Sequence, residues 1–282
     1  MTIGTLKRFL IMGGRKLYNV RVKIFRDSTQ IQVFSKAIPS KGERSSKRGY
    51  APTGEDITGR VYAGVPFEND ITFVRVIDED KKSEFDVKRS VRRTVNMIYD
   101  YSRSNAWQWF LTLTLDPEKV NRFDYQACCK KLKNWIDNMR RSCPDMKYLI
   151  VPEQHKDGAW HFHALFADCD GLGFVDSGHR DSKGRTIWNV GKYRLGFSTA
   201  TQITDLKKTA SYICKYITKE LCIATQGRKR YWVSHNLDTP IVIEDYSVIP
   251  FECRKFFCKK NASHVKNVEM SMNCICYIEK SV

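Results

Sequence analysis

The stretch Trp160-His161-Phe162-His163-Ala164-Leu165-Phe166 places two histidines two residues apart inside an apolar, strand-forming run. Side chains at i and i+2 of a β-strand share a face, so His161 and His163 are expected to stand side by side while Phe162 and Ala164 face the other way. Upstream, Leu149-Ile150-Val151-Pro152-Glu153-Gln154-His155 reads as a partner strand, joined through a Lys156-Asp157-Gly158 turn. A three-residue loop with glycine in its left-handed position pairs His155 with Ala159, Glu153 with His161 and Val151 with His163. That register puts Glu153 on the histidine face as a third ligand. A two-residue Asp157-Gly158 turn would put Gln154 there instead; the first register is preferred. Two imidazoles and a carboxylate from adjacent strands suit a divalent cation with open coordination positions. An H-x-H pair also arises as two satisfied sheet histidines. The metal reading gains weight because three of the chain's six histidines lie between 155 and 163.

The chain has 282 residues, long enough to bury one large core or two small ones, and its 42% hydrophobic and 12% aromatic content marks a folded protein. A net charge of +17 leans toward a polyanionic partner. Ten cysteines without a regular framework or a secretory signal read as reduced thiols, and neither Cys253/Cys258 nor Cys274/Cys276 has zinc-finger spacing. No apolar run reaches membrane-spanning length, so no membrane partner is expected. The G-x-x-x-x-G-K-[ST] phosphate loop is absent, which argues against a helicase or ATPase within this sequence.

Residues 1–50 carry twelve Lys/Arg against Asp27 and Glu43. Short strands are expected at Val20–Phe25 and Ile31–Phe34, then a basic loop over 40–49. From 51 to 86 the charge reverses, with nine acidic against four basic residues and a further strand at Ile71–Ile77. Residues 87–103 read as a helix with Val87, Val91, Val95 and Ile98 on one face. Lys88, Arg89, Arg92 and Arg93 fall mostly off that stripe, as phosphate contacts or as a solvated face. Trp107–Pro117 alternates as a strand, with Phe110, Thr112 and Thr114 on one face. Asp124–Arg141 is amphipathic, with Cys128, Leu132, Ile136 and Met139 inward. Strand, helix and hairpin together imply an α+β layer around a mainly antiparallel sheet. Residues 168–197, rich in Gly, Asp, Ser and Lys, read as a long loop or insertion over the site.

A second constellation follows. Leu206–Leu221 reads as one helix with Leu206, Ala210, Ile213, Ile217 and Leu221 as its apolar stripe. Tyr212 and Tyr216 share another face one turn apart, and Lys215 and Lys219 each follow a tyrosine by three residues. Paired phenols beside paired ammonium groups suit nucleophilic chemistry on a phosphate, because nearby cations or a metal favour the phenolate.

Motif by motif the chain resembles rolling-circle replication initiators of the HUH endonuclease superfamily. Phe110-Leu111-Thr112-Leu113-Thr114-Leu115-Asp116 resembles that superfamily's first motif. His161-Phe162-His163 resembles its histidine motif, and Tyr212-Ile213-Cys214-Lys215-Tyr216-Ile217-Thr218-Lys219 its doubled tyrosine motif. The doubled form is similar to phage replication proteins. Val151–Gly158 and Arg230–Ser234 look like the phage and plasmid branch of replication-associated proteins.

The resemblance implies an antiparallel sheet of about five strands with flanking helices, the HUH or RRM-like palm. It assigns the nicking domain to 87–245, a basic N-terminal region or sheet extension to 1–86, and a C-terminal extension of unassigned role to 246–282. It implies site-specific nicking and rejoining of single-stranded origin DNA through a 5′-phosphotyrosyl intermediate. His161, His163 and Glu153 would hold Mg²⁺ or Mn²⁺. Tyr212 or Tyr216, or both, would be nucleophile, with Lys215 and Lys219 beside the phosphate. Thr112, Thr114, Asp116, Gln154 and His155 would support the ligands, and Arg228, Lys229 and Arg230 would join the helix cations on DNA. A host helicase and DNA polymerase would be partners in a bacterial cytoplasm. A plasmid mobilisation relaxase shares this chemistry, and a non-cutting origin- or promoter-binding regulator shares the charge alone.

Overall fold

The computed structural model describes residues 11–12, 15–40, 63–67, 70–74, 79–270 and 273–281. The basic loop expected over 40–49 lies, except for Ser40, outside these residues, as does the end of the strand expected at Ile71–Ile77. The chain is α+β and divides into two units, one spanning Glu79–Thr239 and the other combining Met1–Asp78 with Pro240–Val282. Among the described residues no helix is long and apolar enough to cross a membrane. All ten cysteines are free thiols.

In the Glu79–Thr239 unit, the described strands form one seven-stranded antiparallel sheet. Its order is Trp232–Val233, Lys147–Gln154, Trp160–Ala167, Trp109–Thr114, Ser198–Gln202, Thr186–Val190 and Phe174–Arg180. The histidine strand Trp160–Ala167 sits inside the sheet, and every one of its residues is buried. That explains its near-continuous apolar sequence, which has water on neither face. The helix Tyr125–Ser142 covers one face, with Trp135 edge-on to Phe166 at 6.1 Å. It begins where Asp124 accepts the N–H groups of Gln126 and Ala127, as its position before the amphipathic run leads one to expect. The helix Glu79–Ser104 starts earlier than the expected 87–103; it buries Ile98 and packs Val91 and Val95 against the same core.

Two expectations need correction. Residues 168–197 are not an irregular loop: they hold a short 3-10 turn at Asp170–Leu172 and the strands Phe174–Arg180 and Thr186–Val190. This hairpin, with Ser198–Gln202, widens the sheet to seven strands. Its composition is polar because a hairpin at the sheet's edge with partly exposed faces needs little apolar sequence. The single helix over 206–221 is also interrupted. It runs as an α-helix over Leu206–Ile213, a 3-10 turn over Cys214–Tyr216, and a second α-helix over Lys219–Ala224. Thr218 is the reason, since its hydroxyl accepts the Leu221 N–H at 3.1 Å and caps the second helix. The apolar stripe survives the break, with Ala210, Ile213, Ile217 and Leu221 all buried.

The chain's two ends, read in sequence as separate segments, share a sheet. The strands Arg15–Ile24 and Ser28–Pro39 pair with each other, while Ile241–Asp245 pairs with the first and Asn273–Ser281 with the second. Ile275 lies opposite Phe34, and Val33, Cys276 and Ile278 form the buried centre.

Candidate active site

The hairpin turn sets the site. His155 and Ala159 close a three-residue loop, with the His155 N–H donating to the Ala159 carbonyl at 2.9 Å, and Gly158 takes φ +88°. Only a residue without Cβ adopts that conformation at no steric cost. The resulting register sets Glu153 opposite His161 and Val151 opposite His163. On the other side, Thr114 lies opposite His161 and Thr112 opposite His163. Threonine, histidine and glutamate side chains thus share one face across three strands.

On that face Thr112 Oγ1 lies 3.2 Å from His163 Nδ1, and Thr114 Oγ1 lies 3.1 Å from His161 Nδ1. Each hydroxyl fixes one ring nitrogen and leaves the other, Nε2, to the site. Glu153 does not reach its directly opposite partner. Its Oε2 accepts from His163 Nε2 at 2.6 Å, the diagonal contact open to a long side chain. That hydrogen bond is the first cause of a Glu153 pKa below the ordinary carboxylate value. His155 lies flat on His161, ring centroids 3.7 Å apart, with its Nε2 3.9 Å from the same carboxylate oxygen. Burial, then the neighbouring His155 and His163, lower the His161 pKa to about 4, so its ring is neutral at physiological pH and keeps a lone pair.

The tyrosine helix caps this floor. It starts at Asp205, whose carboxylate accepts the Lys208 N–H at 2.9 Å. Its 3-10 turn brings the Tyr216 ring flat onto His163, centroids 3.7 Å apart and planes 12° apart. Tyr212 stands edge-on to Tyr216 at 5.5 Å and to Phe110 at 5.3 Å. The two phenols differ in surroundings. Tyr212 is 45% exposed, and Lys215 Nζ lies 5.2 Å from its ring centroid. Tyr216 is partly buried; burial first, then the Tyr212 phenol and the Glu153 carboxylate, push its pKa well above the ordinary tyrosine value.

Residues 108–221 match a family model for replication-associated proteins of the ORF2 type. This stretch is similar to replication-associated proteins. It contains Thr112, Thr114, Glu153, His161, His163, Tyr212, Lys215 and Tyr216, the whole constellation just described, within a replication-initiator-like segment. No curated protein matches the chain, and neither does any solved structure.

The remaining sequence candidates fall elsewhere or differently. Asp116 accepts the Glu118 N–H at 3.0 Å and pairs with Lys119, which makes it a turn residue. Gln154 bridges the hairpin to the Gly158 carbonyl at 3.1 Å. Lys219 opens the second helix, and its side chain lies outside the described residues. Lys88, Arg89, Arg92 and Arg93 lie along the Glu79–Ser104 helix, where Arg89, Arg92 and Arg93 are exposed or partly so; Arg228 and Lys229 are exposed in the loop after the second helix. Arg230 turns inward, donating to Ser90 Oγ, to Thr225 Oγ1 at 3.3 Å and to the Cys222 carbonyl at 3.2 Å. Its guanidinium joins elements instead of facing solvent, since its fork of donors satisfies several acceptors at once. Phe110, which strand alternation and the first motif leave without a role of its own, buttresses both Tyr212 and His163, with the latter ring at 5.9 Å.

Two imidazoles and a carboxylate have the donor chemistry of a divalent-metal site, and a ring nitrogen anchored by a neighbouring oxygen is the usual support for such ligands. Among the described residues no three His, Cys, Asp or Glu side chains stand in metal-holding geometry. Glu153 Oε2 is hydrogen-bonded to His163 Nε2 at 2.6 Å.

Proposed function

We propose that the chain is a replication initiator that nicks and rejoins single-stranded DNA at an origin, with a tyrosine as nucleophile. The observation that carries this reading is the seating of the tyrosine turn on the histidine strand, Tyr216 against His163 at 3.7 Å with Tyr212 beside it. The family match over 108–221 supports it, because that stretch holds all of these residues.

Tyr212 is the proposed first nucleophile. It is the more exposed phenol, and the Lys215 ammonium lies beside its ring, where it can meet the charge of a bound phosphate. Its oxygen attacks the scissile phosphorus in line. A bond forms between Tyr212 Oη and phosphorus as the bond to the 3′ oxygen breaks. The phenol proton is lost to solvent, and the departing oxygen gains one to become a free 3′-OH. The DNA then carries a 5′-phosphotyrosyl bond, whose energy allows rejoining without a nucleoside triphosphate. Tyr216 stays on His163, ready for a second transfer when the origin is regenerated. His161, His163 and Glu153 are the proposed holders of Mg²⁺ or Mn²⁺, which would polarise a nonbridging phosphate oxygen when bound. Thr112 and Thr114 hold Nδ1 of both rings and would leave each Nε2 to the ion. The proposed partners are origin DNA, a polymerase that extends the 3′-OH, and a separate helicase.

The test is a cleavage assay on a library of single-stranded origins with Mn²⁺, read as covalent protein–DNA adducts on a denaturing gel. An EDTA-sensitive adduct that vanishes in the Tyr212→Phe, Tyr216→Phe double variant is expected. Specific binding with no adduct under any divalent metal would replace this reading with that of a non-cutting regulator.

A further inference from the structure

Phe197 is 62% exposed although it adjoins a strand in the middle of the seven-stranded sheet. The strand after it pairs Ser198 with Leu113 and Thr199 with Thr112. The Thr114 N–H donates to the Phe197 carbonyl at 2.8 Å, which extends the same register by one residue. Phe197 therefore stands opposite Thr114, as His161 does on the other side. Side chains directly opposite one another in antiparallel strands share a face. The burial pattern agrees, since Ser198 and Ala200 are buried while Thr199 and Thr201 are only partly so. One row thus runs Phe197, Thr114, His161, Glu153 across four strands, and two strand spacings, roughly 10 Å, separate the phenylalanine from His161.

The ring's support is rigid. The Asp116 N–H donates to the Leu195 carbonyl at 2.8 Å, clamping the segment on both sides of Gly196. A Cβ on Gly196 would lie 2.2 Å from the Thr114 carbonyl oxygen and 2.6 Å from the Asp116 nitrogen. Glycine here permits the close backbone approach that fixes Phe197 on the histidine face. Lys192 and Arg194, both at least partly exposed, lie just before it and supply cationic charge. A large apolar ring held fixed in water, beside cations and one row from the proposed chemistry, has the composition of a single-strand binding platform.

We propose that Phe197 is a stacking platform for a DNA base, positioning the strand so that a phosphate one or two nucleotides away lies over His161. This rests on the reading of the site as acting on single-stranded DNA. Tyr212 and Tyr216 cover the His163 row, whereas the His161 row ends in the exposed Phe197 ring. The platform thus places a base at the Phe197 end of the His161 row, and the strand then runs toward the tyrosines. It contacts the base face and so tolerates any base.

The experiment uses the full chain in EDTA, so that no cleavage occurs, and a labelled oligothymidylate about 12 nucleotides long read by fluorescence anisotropy. Phe197→Ala is expected to weaken binding by about 5- to 100-fold, Phe197→Trp to retain it, and Phe197→Leu to resemble alanine because it keeps apolar area without a π face. Single abasic substitutions along the oligonucleotide are expected to weaken wild type at one or two positions and to be silent there in Phe197→Ala. Equal affinities of wild type and Phe197→Ala, an abasic profile unchanged by the substitution, or failure of wild type to bind would overturn the platform. The two readings fail separately. Adduct formation with unaltered Phe197→Ala binding removes the platform alone, and Phe197-dependent binding without any tyrosine adduct removes the nickase alone.

Discussion

The hydroxyl of Thr114 lies 3.1 Å from Nδ1 of His161, and Thr112 repeats the contact to His163 at 3.2 Å on the next row. Both histidines thus present Nε2 to the site because two threonines on the neighbouring strand occupy the other nitrogen. Thr112→Val and Thr114→Val keep shape and strand preference while removing the anchor. Each is expected to lower Mn²⁺ affinity and adduct formation by about 10- to 100-fold, the usual effect of losing a ligand's support. Calorimetric titration and adduct rates check this, and thermal midpoints near wild type would locate the effect in ring orientation.

The unequal tyrosines give a second expectation. Tyr212→Phe should reduce first-strand adduct formation by at least about 100-fold, the scale of removing a nucleophile. Tyr216→Phe keeps the ring that lies on His163 and should leave the first cleavage within about tenfold while impairing strand transfer. Single-turnover assays with a linear and a regenerated origin separate the two steps.

Gly196→Ala should lower the stability of the Glu79–Thr239 unit by about 2 kcal/mol or more, because the added carbon meets backbone atoms that no rotamer change can move. Urea midpoints of wild type and variant measure it. Midpoints within error of each other would mean that the segment shifts freely.

Asp205 makes the start of the tyrosine helix sensitive to acid. The Lys208 N–H is the main cause of its pKa lying below the ordinary aspartate value of 3.8. A folded-state pKa below the unfolded one adds stability above the unfolded value and loses it as pH falls through the folded value. Asp205→Asn keeps an acceptor oxygen without the charge. The wild-type advantage over Asp205→Asn should therefore shrink below about pH 4, as read from thermal midpoints between neutral and acid pH. At neutral pH, Asp205→Ala should cost about 1 kcal/mol, the scale of a lost cap.

Among the basic residues after the tyrosine helix, Arg230→Ala should lower the melting temperature by several degrees, since its donors hold Ser90, Thr225 and the Cys222 carbonyl. Arg228→Ala and Lys229→Ala should leave stability unchanged. Each should instead reduce the slope of log affinity for single-stranded DNA against log salt by about 0.7. A stability loss in those two, or none in Arg230→Ala, would contradict the assignment.

What the sequence determined by itself is the local order of the site. The Lys156-Asp157-Gly158 turn narrows the hairpin to two loop lengths, and the preferred three-residue loop, with Gly158 at positive φ, is the one that pairs Glu153 with His161. Asp124 announces the helix that follows it, and the spacing of Ala210, Ile213, Ile217 and Leu221 marks the buried side of the tyrosine segment even though Thr218 breaks the helix. These features depend on neighbours a few residues apart, so turn chemistry and periodicity encode them. Tertiary structure decided the rest. It chose His163 over His161 as the hydrogen-bond partner of Glu153, turned Arg230 inward, and placed Phe197 in line with His161. It also joined Phe34 to Ile275 in one sheet and made strands of Phe174–Arg180 and Thr186–Val190. Each of those outcomes depends on which strand edge or acceptor is within reach after folding, and that distance in space is not written in the spacing of residues along the chain.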